Sequence, residues 1–230
     1  MKRHYFISQF KWQGDQVYCL DTDIIHQIKD VLKIKIGEEV VLGDGAGKAV
    51  VAELVAITKK EIVFLVKNDL PNQPSKNKVS LFVSLLKRDS FEWLLQKTVE
   101  VGVNEIIPIL SERTVKIGLN EKRCQKIIKE AAEQSQRLFL PTLMPVVSFK
   151  EAIKAASGRV VLFDPSGQSA SSSKLKSKNF SIFIGPEGGW TENEIKSAKD
   201  RQATIASLGD NILRGETAAV VATYLAKNIF

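Results

Sequence analysis

The strongest constraint on the fold is an alternation of apolar, strand-like runs with helical patterns between residues 79 and 228. Strands are predicted at 79–86, 105–110, 159–163, 180–184 and 203–208, and helices near 90–101, 121–138, 192–200 and 216–228. Such alternation is typical of a parallel sheet covered by helices on both faces. We therefore expect an α/β domain whose ligand binds beyond the carboxyl ends of the strands. The Ser- and Lys-rich segment 166–179 predicts an exposed loop.

The first 70 residues follow a different pattern, in which short β-branched runs are separated by turn signals. Strands are predicted at 16–20, 39–42, 49–57 and 61–67, with one helix at about 22–31. This pattern is typical of a small β-rich domain built from hairpins. The polar segment 68–78, which contains Pro71 and Pro74, predicts a linker. We expect domains over residues 1–70 and 71–230.

Composition argues against membrane, secreted and metal-binding proteins. No run approaches the roughly 18 apolar residues of a membrane span, and the opening residues lack an apolar signal-peptide core. Cys19 and Cys124 lie far apart, and neither they nor His4 and His26 have metal-ligand spacing. We expect a cytoplasmic protein without a metal site.

The net charge of +7 lies entirely in the C-terminal part of the chain. Residues 71–230 contain 23 Lys and Arg against 16 Asp and Glu (23 − 16 = +7), whereas residues 1–70 contain ten of each. This asymmetry favours a polyanionic partner for the C-terminal part. A basic surface without any partner has the same charge, so composition alone leaves both interpretations open.

The segment GDGAGK at 43–48 has glycines followed by a lysine, as in a phosphate-binding loop. The Walker spacing requires Gly at position 42 and Ser or Thr at position 49, where this chain has Leu42 and Ala49. A strand-like run follows instead of a helix, so we predict a β-hairpin turn.

The segment 122–138 sorts by helical angle into two faces. An apolar face contains Cys124, Ile127, Ile128, Ala131, Ser135 and Leu138, and the opposite stripe contains Lys122, Lys126, Lys129, Glu133 and Arg137. This mostly basic stripe is either a plain solvated face or a contact for phosphates, with Arg137 near the reaction centre.

In FIGPEGGW, residues 183–190, an apolar strand ends in a glycine-rich turn. Thr191 and Glu194 are spaced for a capping box, and Trp190 and Ile195 for a hydrophobic staple, so a helix should begin at once. Glycines permit close approach of a ligand to the backbone. The Glu187 carboxylate argues against a phosphate ligand and favours a neutral or cationic one.

A second glycine turn, 207–217, also follows a predicted strand and precedes a helix. The two turns are one β-α-β unit apart, so we expect them side by side at the carboxyl edge of the sheet, enclosing a pocket. Arg214 and Glu216 flank its floor, either as functional groups or as an ion pair and a helix-terminal carboxylate.

The two turns, FIGPEGGWTENEI (183–195) and SLGDNILRGETAA (207–219), together resemble the ribosomal small subunit methyltransferase E family, within the SPOUT class of S-adenosylmethionine-dependent RNA methyltransferases. Similar blocks occur in order at 3–7, 26–48, 91–115 and 126–137. The resemblance implies a PUA-like β-barrel, then a parallel α/β domain with a deep trefoil knot, and a homodimer with the site completed at the subunit interface.

The resemblance also implies which residues hold S-adenosylmethionine: Phe163, Gly185, Pro186, Glu187, Gly188, Leu208, Gly209, Ile212, Leu213 and Thr217. This chain departs from the family pattern at Gly215, where Thr or a small residue is more usual, and at Gln136, where Gly or a similar residue precedes the arginine.

The reaction implied is methylation of N3 of a specific uridine in 16S rRNA. N3 is a weak nucleophile until its proton leaves, so Arg137 and Arg214 are candidates for stabilising negative charge on the pyrimidine oxygens. Glu187 or Glu216 is a candidate for accepting the proton. Candidate RNA contacts are Arg3, Lys33, Lys35, Lys122, Lys126 and Lys129, with Lys2 and Lys48 as further possibilities. The alternatives are methylation at another RNA position and a non-catalytic rRNA-binding assembly factor.

Overall fold

A computed structural model of the chain describes residues 3–71, 75, 77–115, 118–170 and 175–230. By their internal contacts they form two compact units, one within Met1–Pro74 together with Ala132–Leu140, and the other within Ser75–Ala131 and Pro141–Phe230. Lys2 and part of the predicted linker lie outside the described residues.

The first unit contains a six-stranded sheet with the order β1-β4-β5-β6-β3-β2. Its strands are β1 Tyr5–Ile7, β2 Lys11–Gln13, β3 Gln16–Cys19, β4 Glu39–Gly43, β5 Ala49–Ile57 and β6 Ile62–Asp69. β1 pairs with β4 in parallel, and the other pairs are antiparallel. The predicted β-rich domain is confirmed; β1 and β2, three residues each, were not predicted.

The helix predicted at 22–31 is an α-helix, α1 Thr22–His26, that continues as a π-helical turn, Gln27–Val31. The Asp21 side chain caps its start by accepting from the amides of Asp23 and Ile24. Ile24 and Ile28 are buried against the sheet, in one cluster with Phe64. The helix therefore closes the apolar core of this unit.

The segment 43–48 is a hairpin turn, as predicted. β4 and β5 pair through Gly43 and Ala49. Within the turn, the Asp44 carboxylate accepts from the amides of Ala46 and Lys48. An Asp at this position stabilises a turn by bonding its own backbone, which is chemistry unlike that of a phosphate loop.

The segment Ala132–Leu140 packs with the first unit, which the sequence did not suggest. The Glu133 carboxylate accepts from the amide of Ile7 at 2.8 Å, and the amide of Leu140 donates to the carbonyl of Gly45 at 2.8 Å. Glu133 is only 9% exposed. Its predicted place in a solvent-facing stripe is therefore wrong, because it satisfies the backbone of an edge strand.

The second unit contains a sheet with the order β10-β8-β7-β12-β11-β13, with β9 added beside β8, and every pairing is parallel. Its strands are β7 Lys78–Ser84, β8 Glu105–Leu110, β9 Thr142–Leu143, β10 Val147–Ser148, β11 Arg159–Ser169, β12 Asn179–Ile184 and β13 Thr204–Ser207. Its helices are α2 Arg88–Glu100, α3 Glu121–Gln134 (of which the last residues belong to the first unit), α4 Phe149–Ala155, α5 Glu192–Asp200 and α6 Gly215–Asn228. The α/β class is confirmed, whereas the knot stays a prediction.

Two predicted boundaries in this part of the chain are wrong. The loop predicted at 166–179 begins later, because β11 resumes pairing with β13 at Gln168 after a register shift. The helix predicted at 121–138 ends at Gln134, because Gln136 has φ +59°. The amide of Gln136 donates to the carbonyl of Glu133 and that of Arg137 to the carbonyl of Ala132, which is a Schellman termination.

No helix among the described residues is long and apolar enough to cross a membrane. Within the same residues, no group of three or more His, Cys, Asp or Glu side chains is arranged to hold a metal ion.

Candidate active site

A cleft of about 710 Å³ opens at the carboxyl edge of the parallel sheet in the second unit. Residues that follow β7, β12 and β13 surround it, together with the irregular middle of β11 and the first turn of α6. Ligands bind at this edge in open parallel sheets because the loops converge there and helices begin there. The cleft is thus the candidate site.

The first wall is the turn after β12. The amide of Gly189, which has φ +70°, donates to the carbonyl of Pro186 at 2.9 Å, closing a tight turn. The predicted capping box is present: Thr191 accepts from the amide of Glu194, and Glu194 accepts from the amide of Thr191. A short helix therefore starts directly behind the turn and fixes its direction.

Trp190 connects this turn to the neighbouring strand. Its indole is buried, and Nε1 donates to the carbonyl of Phe163 at 3.0 Å. Ile195 packs against the same apolar cluster, as expected for a hydrophobic staple. A Cβ at Gly185 would lie 3.0 Å from Cε2 of Trp190, so glycine leaves the space that the indole fills.

The second wall is the turn after β13. The Ser207 hydroxyl donates to the carbonyl of Gly209, which has φ +130°. α6 then starts at Gly215, where a Cβ would lie 3.2 Å from the Leu86 methyl groups and 3.6 Å from the carbonyl oxygen of Gly185. The two glycine turns are therefore in direct proximity, as the sequence predicted.

A third wall comes from residues 164–167, which the sequence analysis missed. Phe163 and Gln168 both register with Ala206, so the four residues between them leave the sheet. A Cβ at Gly167 would lie 2.6–2.7 Å from backbone atoms of Ala206, which requires glycine there. Asp164 and Pro165 line the cleft as a result. The Pro165-Ser166-Gly167 turn signal directly after a buried strand was the available clue.

Charged groups in the cleft are mixed, with acidic residues in the majority. Asp164, Glu187 and Glu216 line it, together with Lys87 and Arg214. Arg214 is the N-cap residue of α6 and makes no ion pair with any described residue, so the alternative interpretation of Arg214 as half of an ion pair finds no support there. Glu216 lies in the first turn of α6, where the helix dipole favours negative charge.

Comparison with known proteins identifies the family. An RNA methyltransferase domain model matches residues 73–227, and an RNA methyltransferase PUA domain model matches residues 20–67. The Ribosomal RNA small subunit methyltransferase E of Bacillus subtilis is 30% identical over 96% of this chain and 94% of that protein. This chain belongs to the ribosomal RNA small subunit methyltransferase E family.

Other members of the family agree in sequence and in fold. The Synechocystis protein of the same name is 33% identical over 88% of this chain and 70% of its own length. A crystal structure of the Neisseria gonorrhoeae enzyme of that name, bound to S-adenosyl methionine, superposes with a TM-score of 0.88. It is 28% identical, and the match covers 96% of this chain and 95% of that one.

Most residues that the family resemblance assigned to the cofactor line the cleft. They are Phe163, Gly185, Pro186, Glu187, Gly188, Leu208, Ile212 and Leu213. Gly209 and Thr217 do not line it, although each is adjacent in sequence to a residue that does. Lys87, Ser90, Asp164, Pro165, Ser207 and Asn211 line it and were not predicted.

The remaining predicted residues lie elsewhere. Arg137 belongs to the segment that packs with the first unit, and burial lowers its pKa to about 10, so it is still a cation at neutral pH. Lys122 and Lys126 are exposed on α3, and Lys129 is half-buried. In the first unit, Lys33 and Lys35 are exposed, whereas Arg3 pairs with Glu39 at 2.7 Å.

Proposed function

We propose that this protein transfers a methyl group from S-adenosylmethionine to N3 of a specific uridine in 16S rRNA of the small ribosomal subunit. The observation that carries the proposal is the glycine-walled cleft, in which carboxylates outnumber cations. The family membership supplies the reaction class, and the chemistry of the cleft is consistent with the two reactants.

The residues of the cleft fit S-adenosylmethionine. Gly185 and Gly188 expose backbone along one wall, and Leu208, Ile212 and Leu213 supply apolar side chains on the other. The acidic excess suits a ligand whose reactive group is a cation and would disfavour a polyphosphate. When bound, S-adenosylmethionine supplies a methyl group on positively charged sulfur.

Residues of this protein have to favour the deprotonated form of uridine, because N3 is a weak nucleophile while it carries its proton. N3 carries a proton, and its loss leaves negative charge on the flanking pyrimidine oxygens. We assign Arg214 to stabilise that charge, because it lines the cleft and forms no ion pair among the described residues. The family resemblance also makes Arg137 a candidate for this task, although it does not line the cleft, and Glu187, which does line it, is proposed as proton acceptor.

The partner proposed is rRNA, contacted by exposed cations on both units. Lys33 and Lys35 in the first unit, and Lys122 and Lys126 on α3, are exposed. Phosphate contacts of this kind release counterions and make binding salt-dependent. The target base has to be unpaired or flipped out to enter a cleft. A homodimer in the cytoplasm is part of the proposal, and sedimentation equilibrium tests the dimer.

Primer extension on small-subunit rRNA tests the reaction. N3-methyluridine cannot form a Watson–Crick pair, so reverse transcriptase should stop one residue before it in parent cells. Deletion of the gene should remove that stop, and a plasmid copy should restore it. A pattern of stops that deletion leaves unchanged would reject the assigned reaction.

Calorimetry with S-adenosylmethionine separates the enzyme from a non-catalytic assembly factor. Both would bind rRNA in a salt-dependent manner, but only the enzyme should release heat with the cofactor. If the cofactor binds but mass spectrometry locates the methyl group on another nucleotide, the reaction class stands and the position is wrong.

A further inference from the structure

The turn after β8, residues 111–114 (Ser-Glu-Arg-Thr), contacts the glycine turn of the cleft although it does not line the cleft. A network of hydroxyl groups holds it. The Ser84 hydroxyl at the end of β7 donates to the Ser111 hydroxyl at 3.1 Å, and the hydroxyls of Ser111 and Thr114 lie 2.7 Å apart. Ser84 and Ser111 are buried, so the base of this turn is fixed to the sheet.

Two contacts join this turn to the segment 188–194. Nη1 of Arg113 donates to the carbonyl of Gly188 at 2.8 Å and, more weakly, to that of Trp190 at 3.5 Å. Beside it, the amide of Glu112 donates to Oε1 of Glu194 at 3.0 Å. The aliphatic part of Arg113 covers Gly188, where a Cβ would lie 3.5 Å from its Cβ and Cδ.

The stronger Arg113 contact holds one end of a peptide group in the 186–189 turn. In a trans peptide, the carbonyl and the following amide point in opposite directions. The Gly188 carbonyl accepts from Arg113, while the amide of the same peptide, that of Gly189, donates to the carbonyl of Pro186. With both ends held, the peptide between Gly188 and Gly189 has a fixed orientation, although the two glycines would otherwise permit many.

We infer that Arg113 is a positioning residue for the cofactor: it holds the 186–189 turn in the shape that forms the first wall of the cleft. The inference rests on the proposed function, because S-adenosylmethionine is the ligand that this wall would contact. Arg113 acts through the backbone of Gly188 and Trp190 and is not assigned a contact with the cofactor or with RNA.

The reach and planarity of the guanidinium group are part of the role of Arg113. Both hydrogen bonds come from Nη1, which stands at the end of a side chain one atom longer than that of lysine and is held in the guanidinium plane, whereas an ammonium group is a compact point charge on a shorter, flexible stem. Arg113→Lys should therefore restore only part of what Arg113→Ala removes. Thr114→Val removes a hydroxyl from the base of the turn and should have a smaller effect in the same direction.

Calorimetry of the full-length parent, Arg113→Ala, Arg113→Lys and Thr114→Val with S-adenosylmethionine tests the inference. Arg201→Ala is the matched control, because Arg201 is an exposed arginine at the end of α5 outside both turns. We expect Kd to rise about tenfold in Arg113→Ala, a few-fold in Arg113→Lys and less in Thr114→Val. The Tm of the two Arg113 variants and the rRNA affinity of all variants should stay within experimental error of the parent, whereas the Tm of Thr114→Val should fall slightly, because the amide and hydroxyl of Ser111 lose a partner.

Each of the next three outcomes would overturn the inference. Unchanged cofactor affinity in Arg113→Ala would show that the turn keeps its shape without the arginine. A loss of rRNA affinity and of its salt dependence, with normal cofactor binding, would make Arg113 an RNA contact. If Tm fell equally in Arg113→Ala and Arg113→Lys, and that fall accounted for the whole loss of cofactor affinity, Arg113 would be a purely structural residue. If the parent itself bound no S-adenosylmethionine, the proposed function would fail first.

Discussion

Replacing Trp190 by Phe should destabilise the second unit, because the indole both fills space and donates a buried hydrogen bond. The bond from Nε1 to the Phe163 carbonyl is 3.0 Å long, and Trp190 is 5% exposed. Losing a buried hydrogen bond costs about 1 kcal/mol, and up to about 3 if the acceptor keeps no partner. The smaller ring leaves a cavity that adds about 1 kcal/mol. The free energy of unfolding should fall by about 2–4 kcal/mol.

Urea denaturation followed by far-ultraviolet circular dichroism measures this change. Trp93→Phe is the matched control, because Trp93 lies on α2 and is 44% exposed, so its replacement should change stability by less than about 0.5 kcal/mol. Equal midpoints for the two variants would refute the role given to Trp190.

A double-mutant cycle tests the packing of the same indole on Gly185. Gly185→Ala in the parent places a Cβ 3.0 Å from Trp190 Cε2 and should cost about 1–3 kcal/mol by overpacking. In the Trp190→Phe background part of that cost should disappear, giving a coupling energy of at least about 0.5 kcal/mol. Strict additivity would mean that the indole is not what requires glycine.

Three further predictions concern other parts of the chain. Gln136→Gly should raise the free energy of unfolding by about 1 kcal/mol, because Gln136 has φ +59° at a helix terminus. Gln125→Gly, within α3, is the control and should lower the free energy of unfolding by a similar amount. Urea midpoints that moved in the opposite directions would contradict this prediction. Hydrogen bonds from Arg123 and then Arg88 lower the pKa of Glu92 from 4.5 to about 2, so its stabilising effect is present above pH 4.5 and is lost as pH falls towards 2. Glu92→Gln should therefore flatten the Tm profile over that window, and an unchanged profile would count against the ion pairs. Arg214→Ala should lower kcat about 100-fold while the Kd of S-adenosylmethionine stays within about twofold, whereas a loss confined to cofactor binding would remove Arg214 from the chemistry.

Features set by neighbouring residues were predictable from the sequence. The capping box of Thr191 and Glu194 needs only residues three apart, and the strand β5 was predicted with its exact ends because its β-branched run is long. The missed strands β1, β2, β9 and β10 have two or three residues each, too short for a period to show. α4 was also missed, although Ser148 and Glu151 form a second capping box at its start.

Features that depend on distant partners were not predictable. Glu133 has the helical phase of a solvent-facing residue, and only the backbone of Ile7, 126 positions away, explains its burial. Arg113 reaches Gly188 across 75 positions, and nothing in the local sequence indicates that contact. Conversely, the structure explains a preference for glycine at position 136, since Gln136 has the left-handed φ of +59° that glycine adopts without strain.

The place of Ala132–Leu140 has a consequence for fragments of this protein. A fragment that stops after the predicted first domain would lack Glu133, which pairs the amide of Ile7, and Phe139, which bridges to Ala46. It would also lose Leu138 from the small apolar cluster around Val41 and Val51. Residues 1–70 alone should therefore be poorly ordered, and a synthetic peptide spanning 132–140, added in trans, should restore their order. The first unit is in this sense completed by chain that is synthesised about sixty residues later.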